Sequence, residues 1–167
     1  MATQKRYRTH LDSTLWVLLC ITVPFMIWKA LIVITGSPSP IVVVISESMA
    51  PAFHRGDLLF LWNRQPWIHA GEIPVCWFPG NPLPMVHRAI KIVTLDNFTQ
   101  GILTKGDNNL LDDVSLYPEG RTLVSREEIF GIVKGFLPGI GYISIAMQEH
   151  RWIQDVFFGA SMLFSLS

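Results

Sequence analysis

A small, mainly β domain carried on a single N-terminal membrane helix is the architecture this sequence predicts. Three observations carry the expectation. Positions 15–35 form a run of 21 largely apolar residues, about the length needed to cross a hydrocarbon core of about 30 Å. From position 41 onward, short β-type runs alternate with Pro, Gly and Asn clusters, and no long helical period recurs. The composition is half hydrophobic yet 16% charged, too apolar for an ordinary soluble domain and too mixed for a polytopic membrane protein.

At 167 residues the chain suits one domain with a core of moderate size. Its 13 basic and 13 acidic residues cancel, so no basic stripe is available to neutralise phosphates, and no nucleic-acid partner is expected. The two cysteines, Cys20 in the apolar run and Cys76 in the later domain, read as buried free thiols, and no Cys/His cluster suggests a metal site.

Residues 1–12 are polar and carry Lys5, Arg6 and Arg8. Basic residues before the run and none in the dozen after it place the N-terminus in the cytosol and the rest of the chain across the membrane. The run exceeds the ~7–15 apolar residues of a cleaved signal sequence, which favours an uncleaved anchor over residues 13–35, although Thr35-Gly36-Ser37 keeps cleavage open. Lys29 inside it must snorkel to the far interface or meet another subunit, and Pro24 is tolerated there. Gly36-Ser37-Pro38-Ser39-Pro40 is a short, stiff linker into a domain spanning 36–150.

Strands are expected at 41–46, 57–62, 72–78, 85–94, 101–105 and 128–136, folded into a small barrel-like or folded-sheet domain. Asn97-Phe98-Thr99 matches the N-glycosylation pattern between two of them. The last stretch, 151–167, is apolar again but short for a span. It is expected as a short helix that packs on the domain or associates with the membrane.

The polar residues of the 41–57 stretch point to chemistry. Ser46 and Ser48 close a run of five β-branched residues and precede a turn at Pro51. A serine hydrolase needs an activated hydroxyl, a base and oxyanion donors, and Ser48 is placed to be the hydroxyl. Among candidate bases, His54 lies in the same turn region and His69 in a Trp/Gly-rich loop. His87 stands in the pattern M-V-H-R-A-I-K-I, where strand alternation would put His87, Ala89 and Lys91 on one face. Candidate carboxylates to orient an imidazole are Asp107, Asp112 and Asp113, in a segment that also reads as plain turn chemistry. A non-catalytic, membrane-anchored β domain that binds peptides or partner subunits would explain the anchor and strands but gives no reason for Ser48, His87 and Asp113 to coincide with a triad pattern.

Four segments in register then carry a resemblance. They are I-V-V-V-I-S-E-S-M-A-P-A-F-H-R-G-D-L-L-F-L, M-V-H-R-A-I-K-I, L-T-K-G-D-N-N-x-x-D-D and G-x-V-K-G-F-L-P-x-I-G, preceded by the anchor segment M-I-W-K-A-L-I-V-I-T-G. Together they resemble the catalytic subunits of eukaryotic endoplasmic-reticulum signal peptidases, from about Met26 to Met147. The resemblance implies a serine protease of the endoplasmic-reticulum membrane that removes signal peptides from preproteins, needs no cofactor and works beside non-catalytic subunits. It places Ser48 on the nucleophile, His87 on the base, Asp113 on the triad carboxylate, Asp107 on a supporting acid and Ser46 on an oxyanion-hole serine. Lys105, as base of a Ser-Lys dyad, is the rival to His87, and an inactive homologue or a stand-alone prokaryotic enzyme are rivals to the whole. The chain departs from the family's commonest form at Glu47, where glycine is usual, and at Ala50, where glutamate is usual. A charge at Glu47 must point away from an oxyanion site or be paired.

Overall fold

The computed structural model describes residues 2–80, 82–96 and 99–150. A single helix, α1 (Ala2–Thr35), takes in the apolar run and continues back through the polar N-terminal segment. Its portion Asp12–Thr35, 24 residues, is long and apolar enough to cross a membrane, and none of it is buried against the domain. Lys29 places its ammonium 5.5 Å from the centroid of the Phe25 ring, a cation–π contact along the helix. The helix ends at Gly36, whose φ of +69° makes a left-handed cap of low cost without a Cβ. The last carbonyls are capped from the domain. Arg64 donates to the carbonyls of Ile34 and Val33, and the Asn63 amide donates to that of Thr35. Ser37 is fully buried and the Leu61 amide bonds the Pro40 carbonyl, so the linker is built into the domain.

Among the described residues, eight strands form two antiparallel sheets. The first joins β1 (Ile41–Val43), β2 (Leu58–Trp62), β3 (Pro74–Cys76), β4 (Met85–Val86) and β8 (Ile129–Leu137) in the order β1-β2-β8-β3-β4. The second joins β5 (Arg88–Asp96), β6 (Thr99–Lys105) and β7 (Val124–Ser125) in chain order. Apolar side chains collect in two clusters. Leu59, Leu61, Met49, Phe53 and Val75 form one; Cys76, Phe78, Ile102, Val124 and Ile132 belong to the other. Successive residues of β3 thus feed opposite clusters, Val75 one and Cys76 the other. A strand buried on both faces reads as a plain apolar run, which is why Pro74-Val75-Cys76 shows no alternation.

The sheet-rich, curled architecture agrees with the expected fold class, and the structure corrects three details. The strand expected at 41–46 ends at Val43, because Val44 exchanges backbone hydrogen bonds with Gly56 and Asp57 and closes the 44–57 stretch into a loop. The strand expected at 85–94 is divided at His87: Val86 ends β4 in one sheet, and Arg88 begins β5 in the other. A bulge follows, with Ala89 opposite Thr104 and Lys91 opposite Leu103, so Ile90 is the extra residue. The shared face expected for His87, Ala89 and Lys91 is therefore lost, with Ala89 buried and Lys91 exposed. The sequence pattern also missed α2 (Tyr142–Glu149), which packs at the mouth of the 44–57 loop; the Gly141 amide bonds the Gly56 carbonyl at 2.8 Å. The Asn97 sequon and the 151–167 segment lie outside the described residues.

Glu72 ties the loop after β2 to β8. Its carboxylate accepts from Lys134 at 2.8 Å, Gln65 at 2.7 Å and the His69 amide at 3.0 Å. Burial works to raise its pKa, but those donors together outweigh burial and hold it at about 2, below the ordinary 4.5. A depressed carboxylate pKa stabilises the fold above the unfolded value and loses that contribution as pH falls toward the folded one. The thermal midpoint is therefore expected to decline as pH is lowered from about 4.5 to about 2, with a shallower decline in Glu72→Gln, measured by unfolding in detergent.

Candidate active site

Ser48 starts the turn that follows β1, with the Ala50 amide returning to the Glu47 carbonyl and the Phe53 amide to that of Met49. The neighbouring Met49 is buried in the core and anchors the turn, while Ser48 stays half-buried at its surface. The turn is gripped from the other sheet. After β6, the Asn108 amide donates to the Ser48 carbonyl at 2.9 Å, and the Asn108 side-chain amide donates to the Glu47 carbonyl at 3.2 Å. Gly106 makes this approach possible, since a Cβ there would lie 2.7 Å from the Ser48 carbonyl oxygen.

His87, at the crossing between sheets, aims its ring at this turn. Its Nε2 lies 3.0 Å from Ser48 Oγ and its Nδ1 lies 2.7 Å from Asp113 Oδ2. A carboxylate can only accept, so Nδ1 carries the proton and Nε2 is free to accept the Ser48 hydroxyl. His87 and Asp113 are both buried, with Asp113 only 1% exposed. Asp113 begins a 3-10 turn (Asp113–Leu116) whose N-cap is Asp112, which accepts from the Val114 amide.

The three acids of the turn segment are thereby sorted. Asp113 reaches the histidine, Asp112 caps the 3-10 turn, and Asp107 takes a bidentate pair from Arg88 at 2.8 and 2.6 Å. The Arg88 hydrogen bonds hold the Asp107 carboxyl below its usual range despite partial burial. Arg88 also donates to the Gly71 carbonyl, so the pair fastens the segment after β6 to the start of β5. Lys105 stands in register with Arg88, and among the described residues no polar contact joins it to Ser48. His54 and His69 lie beside Glu47 and Glu72 instead.

Ser46 places its hydroxyl 3.2 Å from Ser48 Oγ. Glu47, between the two serines, turns the other way, accepting from the Arg55 amide and meeting His54 Nδ1, each at 3.1 Å. The Arg55 amide, then His54, lowers its pKa. The charge that could have opposed an oxyanion is paired at the outer side of the turn.

Sequence reasoning missed Thr104 and Tyr117. Thr104, fully buried on β6, donates its hydroxyl to Asp113 Oδ2 at 2.6 Å and shares a 2.9 Å hydrogen bond with the Tyr117 hydroxyl. The available signal was a threonine inside the apolar run Ile102-Leu103-Thr104.

A cleft of about 260 Å³ opens over Ser48. One wall is Val43 to Ser46, the other Pro84 to His87. Among the described residues β1 pairs only with β2, and β4 only with β3, so the cleft runs between two strand edges. No group of three His, Cys, Asp or Glu side chains among the described residues is arranged to hold a metal ion.

A hydroxyl, an imidazole and a buried carboxylate thus stand in hydrogen-bonded series beneath a cleft with strand edges, an arrangement that serine-type hydrolases use. No family model matches the chain. Comparison with characterised proteins does place it. It is 45% identical over 164 aligned positions to the signal peptidase complex catalytic subunit SEC11 of Ajellomyces capsulatus (strain NAm1 / WU24), covering 91% of this chain and 88% of that one. The SEC11 proteins of Paracoccidioides lutzii and Pyrenophora tritici-repentis are 42% and 48% identical, over 91% and 84% of this chain and 88% and 82% of theirs. The chain belongs to the family of signal peptidase complex catalytic subunits, which are proteases.

Two substitutions separate the grip on the serine from the charge beside it. Gly106→Ala is expected to lower peptidase turnover at least about tenfold, because the new Cβ displaces the Ser48 carbonyl. Glu47→Gln, acting on an exposed and outward-facing pair, is expected to stay within about threefold of the parent. Steady-state kinetics on a signal-peptide substrate check both.

Proposed function

We propose that this chain is a membrane-bound serine endopeptidase that removes N-terminal signal peptides from secretory and membrane preproteins at the endoplasmic reticulum. The observation that carries the reading is the series Ser48–His87–Asp113, at 3.0 and 2.7 Å, beneath a cleft with strand edges in a chain of this family. Ser48 is the nucleophile, His87 the general base and Asp113 the carboxylate that holds the imidazole tautomer.

The signal peptide enters the cleft extended, adding its backbone to the open edge of β1 and meeting β4 on the other side. The aliphatic wall at Val43 to Ile45 admits small residues before the scissile bond and rejects bulk. His87 takes the Ser48 proton as Oγ attacks the carbonyl, and Asp113 supports the imidazolium that results. The Ser48 backbone N–H and the Ser46 hydroxyl receive the oxyanion; Ser46 already stands 3.2 Å from the attacking oxygen. His87 returns the proton to the leaving amine, and water then hydrolyses the acyl-enzyme by the same route in reverse. These side chains supply every proton transfer the cycle needs.

Lys5, Arg6 and Arg8 place residues 1–12 in the cytosol, residues 13–35 in the membrane and the 36–150 domain in the lumen, a single-pass type II arrangement. The docked linker keeps Ser48 close to the bilayer. Partners of the chain are signal peptides, the lipid bilayer and the non-catalytic subunits of a signal peptidase complex. Asn97 falls on the lumenal side as a glycosylation candidate.

In membranes, Ser48→Ala, His87→Ala and Asp113→Asn are each expected to reduce preprotein cleavage by about a thousandfold or more, with normal accumulation of the Ser48→Ala protein. Lys105→Ala should cleave normally. Near-normal cleavage by Ser48→Ala would sink the reading. An inert Lys105→Ala beside an active His87→Ala would transfer the role of base to the lysine.

A further inference from the structure

The catalytic histidine is oriented by a carboxylate, and that carboxylate is itself held by an unassigned pair behind it. Thr104 lies on β6, fully buried, and Tyr117 follows the 3-10 turn that begins at Asp113. Asp113 Oδ2 accepts from both His87 Nδ1 at 2.7 Å and Thr104 Oγ1 at 2.6 Å. Its other oxygen, Oδ1, is buried and has no hydrogen-bond partner among the described residues.

The proton directions follow from this geometry. Thr104 has a single hydroxyl proton, and the carboxylate can only accept, so that proton points at Asp113. The 2.9 Å bond between Thr104 Oγ1 and the Tyr117 hydroxyl must then be donated by tyrosine. Tyr117 in turn accepts the Thr104 backbone amide at 2.9 Å, which fixes its ring oxygen in place. Every donor in the chain thus runs toward one carboxylate oxygen, from Tyr117 through Thr104 on one side and from His87 on the other.

We propose that Thr104, braced by Tyr117, is a positioning residue for the peptidase reaction, holding Asp113 at the angle and charge from which it orients His87. The inference rests on the catalytic reading given above. The other titratable groups nearby leave this role to Thr104. From β3, Cys76 faces Asp113, and burial foremost pushes its thiol up, so it stays neutral. Burial likewise raises the Tyr117 phenol. Glu128 also acts electrostatically on Cys76 and is engaged by Arg121 and the Ser125 amide. Asp107, within electrostatic reach of His87, is paired by Arg88 and also feels Lys105.

A hydroxyl that merely satisfied the core would influence stability alone. A hydroxyl that stabilises the anionic Asp113 also sets how strongly that anion holds a proton on His87. Removing it leaves more of the carboxylate's charge to the imidazole, which favours imidazolium and shifts the acid limb of the rate profile to higher pH.

The test compares Thr104→Val, which keeps shape but removes the hydroxyl, with Thr104→Ser, which keeps the hydroxyl. The full chain is purified in detergent with its accompanying subunits and assayed on a peptide spanning a signal-peptide cleavage site. Thr104→Val is expected to lose about ten- to a hundredfold in kcat with KM little changed, the size of effect that a misplaced base produces. Its acid limb should move to higher pH, and Thr104→Ser should restore both kcat and the limb. A Thr104→Val protein with the parent kcat and acid limb overturns the proposal, as does a Thr104→Ser protein equally impaired. Thermal unfolding of each variant is measured alongside. If Thr104→Val does not fold, Tyr117→Phe replaces it, with a smaller loss and the same upward shift expected; a folded Tyr117→Phe with an unmoved limb overturns the proposal. Ser48→Ala in the same assay keeps the two levels apart. If it cleaves normally, the catalytic reading falls; if it is inert while Thr104→Val is unimpaired, only the positioning role falls.

Discussion

A carboxylate 1% exposed cannot remain in a protein core without partners, and the hydrogen bonds to Asp113 determine much of what surrounds it. Its donors come from two directions, His87 at the crossing between sheets and Thr104 on β6, with Tyr117 beyond the 3-10 turn donating in turn to Thr104. For those groups to converge, β4 must stop at Val86, the chain must change sheets at His87, and β6 must lie beneath the imidazole. The break in what would be a continuous strand is thus the structural cost of bringing an imidazole from the sheet onto a buried acid. Removing one partner of such a buried pair is far more damaging than replacing the whole, because it leaves a charge uncompensated.

The serine is brought to that pair by a separate set of contacts. Asn108 and Gly106 hold the Glu47–Ser48 backbone from the segment that follows β6, and the Asp107–Arg88 pair ties this same segment to β5. Ser48, His87 and Asp113 therefore all depend on the β5–β6 hairpin, although Ser48 itself belongs to the loop after β1. On the opposite side, Arg64 and Asn63 cap the last turn of α1, and the buried Ser37 leaves the linker little freedom. A membrane-length helix and the Ser48–His87–Asp113 cluster are in this way joined through short, ordered chain rather than a flexible tether.

Much of this was readable from residues. The long apolar helix, the succession of short strands and the Ser48, His87 and Asp113 trio that the structure brings together all carried signals in the pattern, and four motifs in register pointed to the family that the comparisons establish. What the pattern left open had physical causes. Three acids within seven residues are equivalent as turn chemistry, and only their partners, Arg88, the Val114 amide and His87, distinguish them. Strand alternation failed at His87 because a sheet crossing and a bulge at Ile90 reset the period. Thr104 escaped notice since one hydroxyl directly after Ile102 and Leu103 has no periodic signature. Glu47 was an apparent obstacle beside Ser48, and its outward hydrogen bonds to Arg55 and His54 could not be inferred from its place between two serines.

The central claim is that Ser48 attacks as an activated nucleophile, and covalent trapping tests it most directly. The protein, purified in detergent with its subunits, is treated at neutral pH with a peptidyl phosphonate bearing a small residue beside the phosphorus, and the adduct is located by peptide mass mapping. The account predicts a single adduct on Ser48 whose formation tracks the loss of peptidase activity. Inactivation with the adduct on any other residue, or full inactivation with Ser48 unmodified, would contradict it.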